Sequence, residues 1–180
     1  MQNVMIDAGH GGSDPGATYK GALEKDVTLD VATHLAHCLR GKMGFGFFLT
    51  RAFDFFLSLQ KRCELANVAG ADLFISIHCN ADPDDDTDPS LVATGEEIWV
   101  HPKSADARRF AEILQRHASQ YAGVSRGIKA SDKLYVLKHT RMPAVIVEIG
   151  FIDDPDFSSA PPVEKAANAI ADAIEEYFNA

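Results

Sequence analysis

Two kinds of hydrophobic pattern alternate along the chain. Short, nearly continuous apolar runs are typical of buried strands, and they predict strands at 3–7, 45–50, 72–78, 96–101, 133–137 and 143–150. Between these runs, apolar residues recur every three or four positions, which predicts helices at 24–40, 57–69, 105–121 and 162–178. Because strands alternate with helices, we expect one α/β domain with a largely parallel sheet over residues 1–180.

The composition is that of a soluble globular domain. Of the 180 residues, 46% are hydrophobic and 24% are charged, and no apolar run approaches the roughly 18 residues that a membrane span needs. The net charge of −9, without any basic stripe, argues against binding a nucleic-acid backbone. The first residues lack a signal-peptide pattern, so we expect that the protein is not exported by that route or that a leader lies outside this chain.

A glycine-rich turn follows the first predicted strand. The stretch IDAGHGGSDPGA, residues 6–17, places His10 among several glycines. Such a turn either lets another group approach the backbone and the imidazole closely, or is an ordinary strand-to-loop turn with an incidental histidine. The turn alone leaves both interpretations open.

Four ionisable residues are predicted at one edge of the sheet: His10 after the first strand, Glu24 at the start of the first helix, and His78 and Glu148 at the ends of two buried strands. The carboxyl ends of parallel strands share one edge, where ligands usually bind. Glu24 could instead serve only the helix macrodipole, and His78 could be a core histidine bonded to a carbonyl group. Glu148 is harder to explain in that way, because a carboxylate in an apolar strand is costly unless it is paired, bound to a metal or transferring protons.

These residue types together favour a metal-dependent hydrolase. Two imidazoles and one carboxylate are the ligand set of a catalytic zinc ion, which keeps a fourth tetrahedral position for water. Zinc lowers the pKa of that water to about 7. A second, uncoordinated carboxylate would then take the water proton and return it to the leaving amine, and Glu148 is available for this role.

Longer motifs extend over essentially the whole chain. In order, they are IDAGHGGSDPGA, EKDVTLDVA, TRAFDFFLSLQKRCELAN, ADLFISIHCNA, the GI pair after Arg126, LYVLKHTRMPAVIVEIGFI and the closing helix. In order and spacing they resemble the zinc-dependent N-acetylmuramoyl-L-alanine amidases of the Amidase_3 family. The resemblance implies a mixed, mostly parallel sheet of about six strands flanked by helices. It also implies hydrolysis of the amide between the lactyl group of N-acetylmuramic acid and the first L-alanine of the peptidoglycan stem peptide.

Carried over position by position, the resemblance implies that His10, Glu24 and His78 bind one catalytic zinc ion and that Glu148 is the catalytic base. Two positions depart from the family pattern. Ala8 replaces the proline usual in the turn, and Cys79 replaces the small residue usual after the second histidine. Neither change removes a ligand.

A third departure concerns the segment before Gly95. Cell-division members of the family carry a long insertion there, which folds as a helix over the zinc, whereas this chain has a short acidic loop at 82–88 that we expect to be solvated. We therefore expect a site that is open without an activator. Such a site suits a phage lysin, or the catalytic domain of a wall-remodelling hydrolase, that acts on the cell wall and is targeted by a separate wall-binding domain or protein.

Three further residues are candidates for binding the substrate. Asn80 follows the second histidine and could donate a hydrogen bond. Arg51 ends a strand at the same edge, where it would form a structural ion pair or contact an acidic stem peptide. His139 precedes the strand of the proposed base and could reach the rim of the cleft. Asp7 could orient a histidine or cap the turn.

Two other functions remain open from the sequence. Another zinc hydrolase of peptide bonds, such as an endopeptidase that cuts within the stem peptide, would use the same kind of site. A non-catalytic wall-binding module could keep the fold, but loss of a ligand would be its sign, and all four key positions are present.

Overall fold

The computed structural model describes residues 1–42, 44–82, 94–154 and 161–180. The strands are β1 Gln2–Ala8, β2 Thr18–Tyr19, β3 Ala22–Leu23, β4 Phe45–Leu49, β5 Leu73–Asn80, β6 Glu96–Val100, β7 Ser125–Ala130 and β8 Ala144–Phe151. The helices are α1 Glu24–Arg40, α2 Leu59–Ala69, α3 Ala105–Ala122, α4 Tyr135–His139 and α5 Pro161–Asn179.

Six of these strands form one mixed sheet. Their order is β4-β1-β5-β8-β6-β7, and β2 and β3 form a separate two-stranded hairpin. Each neighbouring pair in the six-stranded sheet is parallel except β6 and β8, which are antiparallel. The predicted α/β class and the mostly parallel sheet of about six strands are therefore confirmed.

The two faces of the sheet are covered unequally. One face, which carries Val4, Ile75 and Val147, packs in the larger core cluster against the long helices α1, α3 and α5. The other face carries Met5 and Phe74 and packs in a smaller cluster with α2 and α4. These two helices have 11 and 5 residues, so they cover less of their face than the three helices cover on the other side.

The candidate catalytic side chains belong to the thinly covered face. Side chains alternate between the faces of a strand, so His78 shares a face with Phe74, and Glu148 shares a face with Ile146, and both of these apolar residues lie in the smaller cluster. His78 and Glu148 are also direct partners across the β5–β8 pair. The fold thus places an imidazole and a carboxylate side by side where helices leave the sheet accessible.

Two elements differ from the sequence prediction. Residues 133–137 were expected to form a strand, but Tyr135–His139 form the short helix α4, whose Val136 and Leu137 are buried in the smaller cluster. A five-residue apolar run does not distinguish a strand from a buried helical turn. The edge strand opposite β4 is instead β7, in which half-exposed residues and Gly127 interrupt the usual strand pattern.

Part of one expectation lies outside the described residues. The acidic loop at 82–88 falls almost entirely within 83–93, so its solvation and the openness it implied stay predictions. Among the helices of the described ranges, none combines the length and the hydropathy that a bilayer crossing requires.

A buried ion pair fixes the end of β1. Asp7, which is 1% exposed, accepts hydrogen bonds from Thr50 Oγ1 at 2.6 Å, Ser76 Oγ at 2.7 Å and Arg62 Nη1 at 2.7 Å. The Arg62 guanidinium also donates to the carbonyl oxygen of His10 at 2.6 Å. These contacts join α2 and two neighbouring strands to the chain that enters the glycine-rich turn, and they hold that turn in place.

We predict that Arg62→Met lowers the free energy of unfolding by about 3–5 kcal/mol, because it leaves the Asp7 charge buried without its ion-pair partner. The matched control is Lys61→Met, since Lys61 is exposed and pairs with Glu64 at the surface of α2 at 3.0 Å. The control should cost less than about 1 kcal/mol. Urea denaturation measures both values, and equal stability of the two variants would contradict the role given to Arg62.

Candidate metal centre and active site

The glycines after β1 make room for functional side chains. A Cβ atom on Gly9 would lie 2.5 Å from Cε1 of His78, far inside contact distance. A Cβ atom on Gly16 would overlap the Glu24 carboxylate, and the φ of +67° at Gly16 is one that other residues rarely adopt. His10 itself has a φ of 58°, which is uncommon outside glycine. The turn therefore serves a close approach of side chains, as the first of its two sequence interpretations expected.

Three side chains from different parts of the chain converge beside this turn. Nε2 of His10 lies 3.1 Å from Oε2 of Glu24, and Nδ1 of His78 lies 2.9 Å from Oε1 of the same carboxylate. The backbone N–H groups of Ala17 and Cys79 also donate to this carboxylate, at 2.8 and 3.1 Å. The position of Glu24 on the sheet-facing side of α1, as its spacing predicted, makes this convergence possible.

The carboxylate at the centre of this cluster is strongly stabilised. Burial by itself would raise the pKa of Glu24, but hydrogen bonds with His10 and His78 outweigh it and hold the pKa well below its usual range. Glu24 is therefore ionised at any physiological pH. An ionised carboxylate with two imidazoles is the state in which these groups bind a cation.

The orientation of His10 is set by an aspartate that the sequence reasoning missed. Oδ2 of Asp14 lies 2.9 Å from Nδ1 of His10, which leaves Nε2 facing Glu24. Asp7, which was expected to orient a histidine or cap the turn, contacts Arg62 instead. The four-residue spacing of HGGSD within a glycine-rich turn was the available signal, since such a turn can fold a carboxylate back onto the ring.

The cluster fits a divalent metal ion. One donor atom from each of His10, Glu24 and His78 lies within 4.8 Å of the others, and within the described residues this is the one group of three or more such side chains so arranged. Zinc–nitrogen and zinc–oxygen bonds of about 2.0–2.2 Å suit donors at this separation. Three protein ligands would leave a fourth position for water or substrate.

A second carboxylate stands next to the cluster without belonging to it. Glu148 is half-buried on β8, directly opposite His78. Burial raises the pKa of Glu148 to about 7, and the nearby charge of Glu24 adds to this effect while His78 opposes it. A carboxyl group with a pKa near neutrality can accept a proton in one step and donate it in the next.

Comparison with known proteins decides the family. The family model described as N-acetylmuramoyl-L-alanine amidase matches residues 4–176, nearly the whole chain. The chain belongs to the N-acetylmuramoyl-L-alanine amidase family. It is accordingly an amidase that hydrolyses the bond between N-acetylmuramic acid and L-alanine in peptidoglycan.

Relatives and solved structures agree with this assignment. The N-acetylmuramoyl-L-alanine amidase LytC of Bacillus subtilis is 38% identical over 98% of this chain, which spans 36% of LytC. The endolysin of Bacillus phage SPP1 is 33% identical over 96% of this chain, which spans 63% of that endolysin. The crystal structure of an N-acetylmuramoyl-L-alanine amidase from Clostridium difficile 630 superimposes with a TM-score of 0.91 at 32% identity, covering 99% of this chain and 97% of that one.

In this amidase, an apolar cleft of about 440 Å³ opens beside the candidate metal ligands. His10 and His78 are part of its lining. Much of the remaining lining is apolar and comes from the chain around the start of α2 and from α4, namely Phe56, Leu57, Leu59, Leu134, Tyr135 and Val136. The segment at 133–137, which was expected to be a strand, therefore contributes part of the lining of this cleft.

The residues predicted to bind substrate have different surroundings. Arg51 is 1% exposed, and its guanidinium donates to the carbonyl oxygens of Ala8, Gly9 and Lys25 at 2.8–3.0 Å. It is not part of the cleft lining, which corrects the expected contact with the stem peptide, and its hydrogen-bond partners are carbonyl groups and the Thr28 hydroxyl rather than the acid of an ion pair. Burial lowers the pKa of Arg51 from its ordinary value. Through its hydrogen bonds, the side chain connects the glycine-rich turn to the start of α1.

Asn80 and His139 stay candidates for substrate contact. Asn80 ends β5 half-buried, and its side-chain oxygen accepts a hydrogen bond from the N–H of Ala81 at 2.9 Å. His139 is exposed and stacks on Tyr135, with 3.9 Å between the ring centroids. Since Tyr135 lines the cleft, His139 lies one ring away from it.

We predict that Gly9→Ala weakens zinc binding by about 10- to 100-fold, because the added methyl group displaces the His78 ring from the position in which it faces Glu24. Gly41→Ala is the matched control, since its Cβ atom would meet only Cys38 O at an ordinary 3.5 Å. Competition with a chromogenic chelator measures the zinc affinity of each variant. Unchanged affinity in Gly9→Ala would show that the close packing of this glycine does not position the ligand.

Proposed function

We propose that this amidase is zinc-dependent, with His10, Glu24 and His78 as the ligands of one zinc ion and Glu148 as the catalytic acid–base. The observation that carries the proposal is the convergence of three donor atoms within 4.8 Å of one another, next to a second carboxylate, that of Glu148, which is not part of the triad. The donor types match those of catalytic rather than structural zinc sites, which commonly use four cysteine and histidine ligands.

In the proposed hydrolysis, the metal ligands and Glu148 have different roles. When bound, zinc polarises the scissile carbonyl group and lowers the pKa of a water molecule to about 7. Glu148 accepts a proton from the attacking water as that water adds to the amide carbon. Glu148 then donates the proton to the nitrogen of L-alanine as the bond between carbon and nitrogen breaks, which leaves the lactyl carboxylate and a free amino terminus.

Supporting residues keep these groups in place. Asp14 fixes the ring of His10, and the backbone N–H groups of Ala17 and Cys79 fix the Glu24 carboxylate. Such contacts behind metal ligands raise affinity and limit rotation of the ligands. The mostly apolar lining of the cleft beside them lowers the polarity around the scissile bond, which strengthens the interactions of charges formed in the reaction.

We predict that Glu148→Gln lowers turnover by at least about 10²–10⁴-fold while the protein still binds one zinc ion, because the variant keeps its size but has no proton to transfer. His78→Ala should lose both zinc and turnover, because it removes a ligand. Zinc content by atomic absorption and turnover on isolated sacculi measure the two effects. A Glu148→Gln protein that loses zinc, beside a His78→Ala protein that keeps it, would reverse the assigned roles.

An endopeptidase acting within the stem would use the same metal chemistry, so the bond cleaved must be identified. We predict that digestion of purified peptidoglycan releases new amino termini of L-alanine alone, and that a chelator stops the digestion. Labelling of the new termini followed by hydrolysis and amino-acid analysis gives the result. Any other new terminal residue would favour the endopeptidase, and no release at all would favour a wall-binding module.

The setting of the enzyme follows from its substrate. We infer that it acts on the cell wall and that a wall-binding domain or protein, separate from the catalytic domain, directs it there. LytC extends well beyond the matched region and the phage SPP1 endolysin is also longer than the match. The endolysin supports a phage lysin as one origin, and LytC supports a bacterial wall hydrolase as the other.

A further inference from the structure

The sheet arranges charged side chains in a row that continues past the proposed base. His78 on β5 is opposite Glu148 on β8, and Glu148 is in turn opposite Glu97 on β6. Partners in register present their side chains on the same face of a sheet. The row therefore runs from the metal ligands, through the base, toward the edge strand β7 on the accessible face.

The far end of this row carries more positive than negative charge. Glu97 is 4% exposed, and one of its oxygens contacts Nζ of Lys129 and lies 3.7 Å from Nε of Arg126. The side chains of Lys129 and Arg126 are 42% and 39% exposed. Two cations share one buried carboxylate, so the cluster has an excess positive charge on a chain whose net charge is −9.

Both cations are held in position before a substrate binds. Nζ of Lys129 lies 5.4 Å from the ring centroid of Trp99, and the guanidinium carbon of Arg126 lies 5.1 Å from that of Phe151. Rings at these distances attract cations through their π faces. Together with Glu97, the rings restrict both side chains, which reduces the entropy that a bound anion would have to offset.

The role proposed for Glu148 determines which way the substrate lies along this row of side chains. Glu148 must reach the leaving nitrogen to return the proton, so the departing peptide has to lie on the Glu148 side of the metal ligands. The neighbouring strands on that side are β6 and β7. Among the described residues, the apolar cleft is lined by His10, by His78 and by Ile146 of β8, but by no residue of β6 or β7, so it suits the muramyl group, which carries less charge than the stem peptide.

The spacing matches the first acidic residue of the stem peptide. Strands in a sheet lie about 4.8 Å apart, so β7 is about 10 Å from β8. An extended peptide advances about 3.5 Å per residue, and long cationic side chains shorten the remaining gap. In peptidoglycan the residue after L-alanine is D-glutamate, whose free α-carboxylate is within this reach of Arg126 and Lys129.

We propose that Arg126 and Lys129, held by Glu97, form a binding site for the carboxylate of the second stem residue. This site makes the amidase selective for stem peptides in which that carboxylate is free rather than amidated. The inference rests on the proposed function, because the direction of the peptide follows from the role of Glu148.

Two synthetic substrates that differ only in this charge test the site. One is N-acetylmuramoyl-L-alanyl-D-glutamate, and the other carries D-isoglutamine, in which the α-carboxylate is an amide. We expect the unaltered enzyme to show a kcat/KM roughly two- to fivefold higher for the acid, the range for exposed charge pairs in water. Equal kcat/KM values for the two would overturn the inference.

Single substitutions test whether Arg126 and Lys129 cause the preference for the acidic substrate. Arg126→Gln and Lys129→Gln should each reduce the preference for the acid, mainly through its KM, while kcat/KM for the amide stays within about twofold. Each variant leaves one cation on Glu97, so the buried carboxylate keeps a partner and the fold is retained. Lys165→Gln, on the exposed side of α5, is the control for loss of one charge and should keep the full preference.

The outcomes separate this inference from the proposed function. A preference that persists in both Arg126→Gln and Lys129→Gln, or that falls equally in Lys165→Gln, would overturn the carboxylate site while leaving the amidase intact. Equal loss of activity on both substrates would also overturn it, because a purely structural role does not depend on substrate charge. If the unaltered enzyme hydrolyses neither compound but still releases L-alanine termini from sacculi, the second stem residue is not sufficient for recognition and the proposed site is rejected.

Discussion

The carboxylate of Glu24 is the group on which the geometry of this active site depends. It is buried, it faces imidazoles that come from the ends of two neighbouring strands, and backbone N–H groups hold it on its other sides. Without it, His10 and His78 would have no common partner. Glycine at positions 9 and 16 allows these side chains to approach one another, since a methyl group at either position would occupy the space of the converging side chains.

The unequal covering of the sheet turns this cluster into a site that a substrate can reach. Three long helices close one face, while α2 and the short α4 leave the carboxyl edge of the other face accessible. The proposed base, Glu148, lies on the next strand and outside the group of proposed metal ligands. Their different surroundings suit Glu24 and Glu148 to the different tasks proposed for them, because Glu24 is held ionised by its partners while burial keeps the pKa of Glu148 near neutrality.

Much of this arrangement could be predicted from the sequence, and the failures have identifiable causes. The long strands that carry His78 and Glu148 have continuous apolar runs because both of their faces are covered. The helix that begins at Glu24 has a clear apolar stripe because one side of it packs on the sheet. The strand expected at 133–137 is wrong because a short apolar run fits a buried helical turn equally well. The edge strand β7 was missed because a half-exposed strand lacks a continuous apolar run.

Side-chain partners were harder to predict than elements. Arg51 sits at the predicted edge, but its guanidinium turns inward to backbone carbonyl groups, which no spacing in the sequence reveals. The most direct test of the account is anomalous diffraction at the zinc edge from crystals grown with one equivalent of zinc. We predict a single strong peak about 2.0–2.2 Å from Nε2 of His10, Nδ1 of His78 and an oxygen of Glu24, with Glu148 outside bonding distance. A peak elsewhere, or a zinc ion bound by Glu148 in place of Glu24, would contradict it.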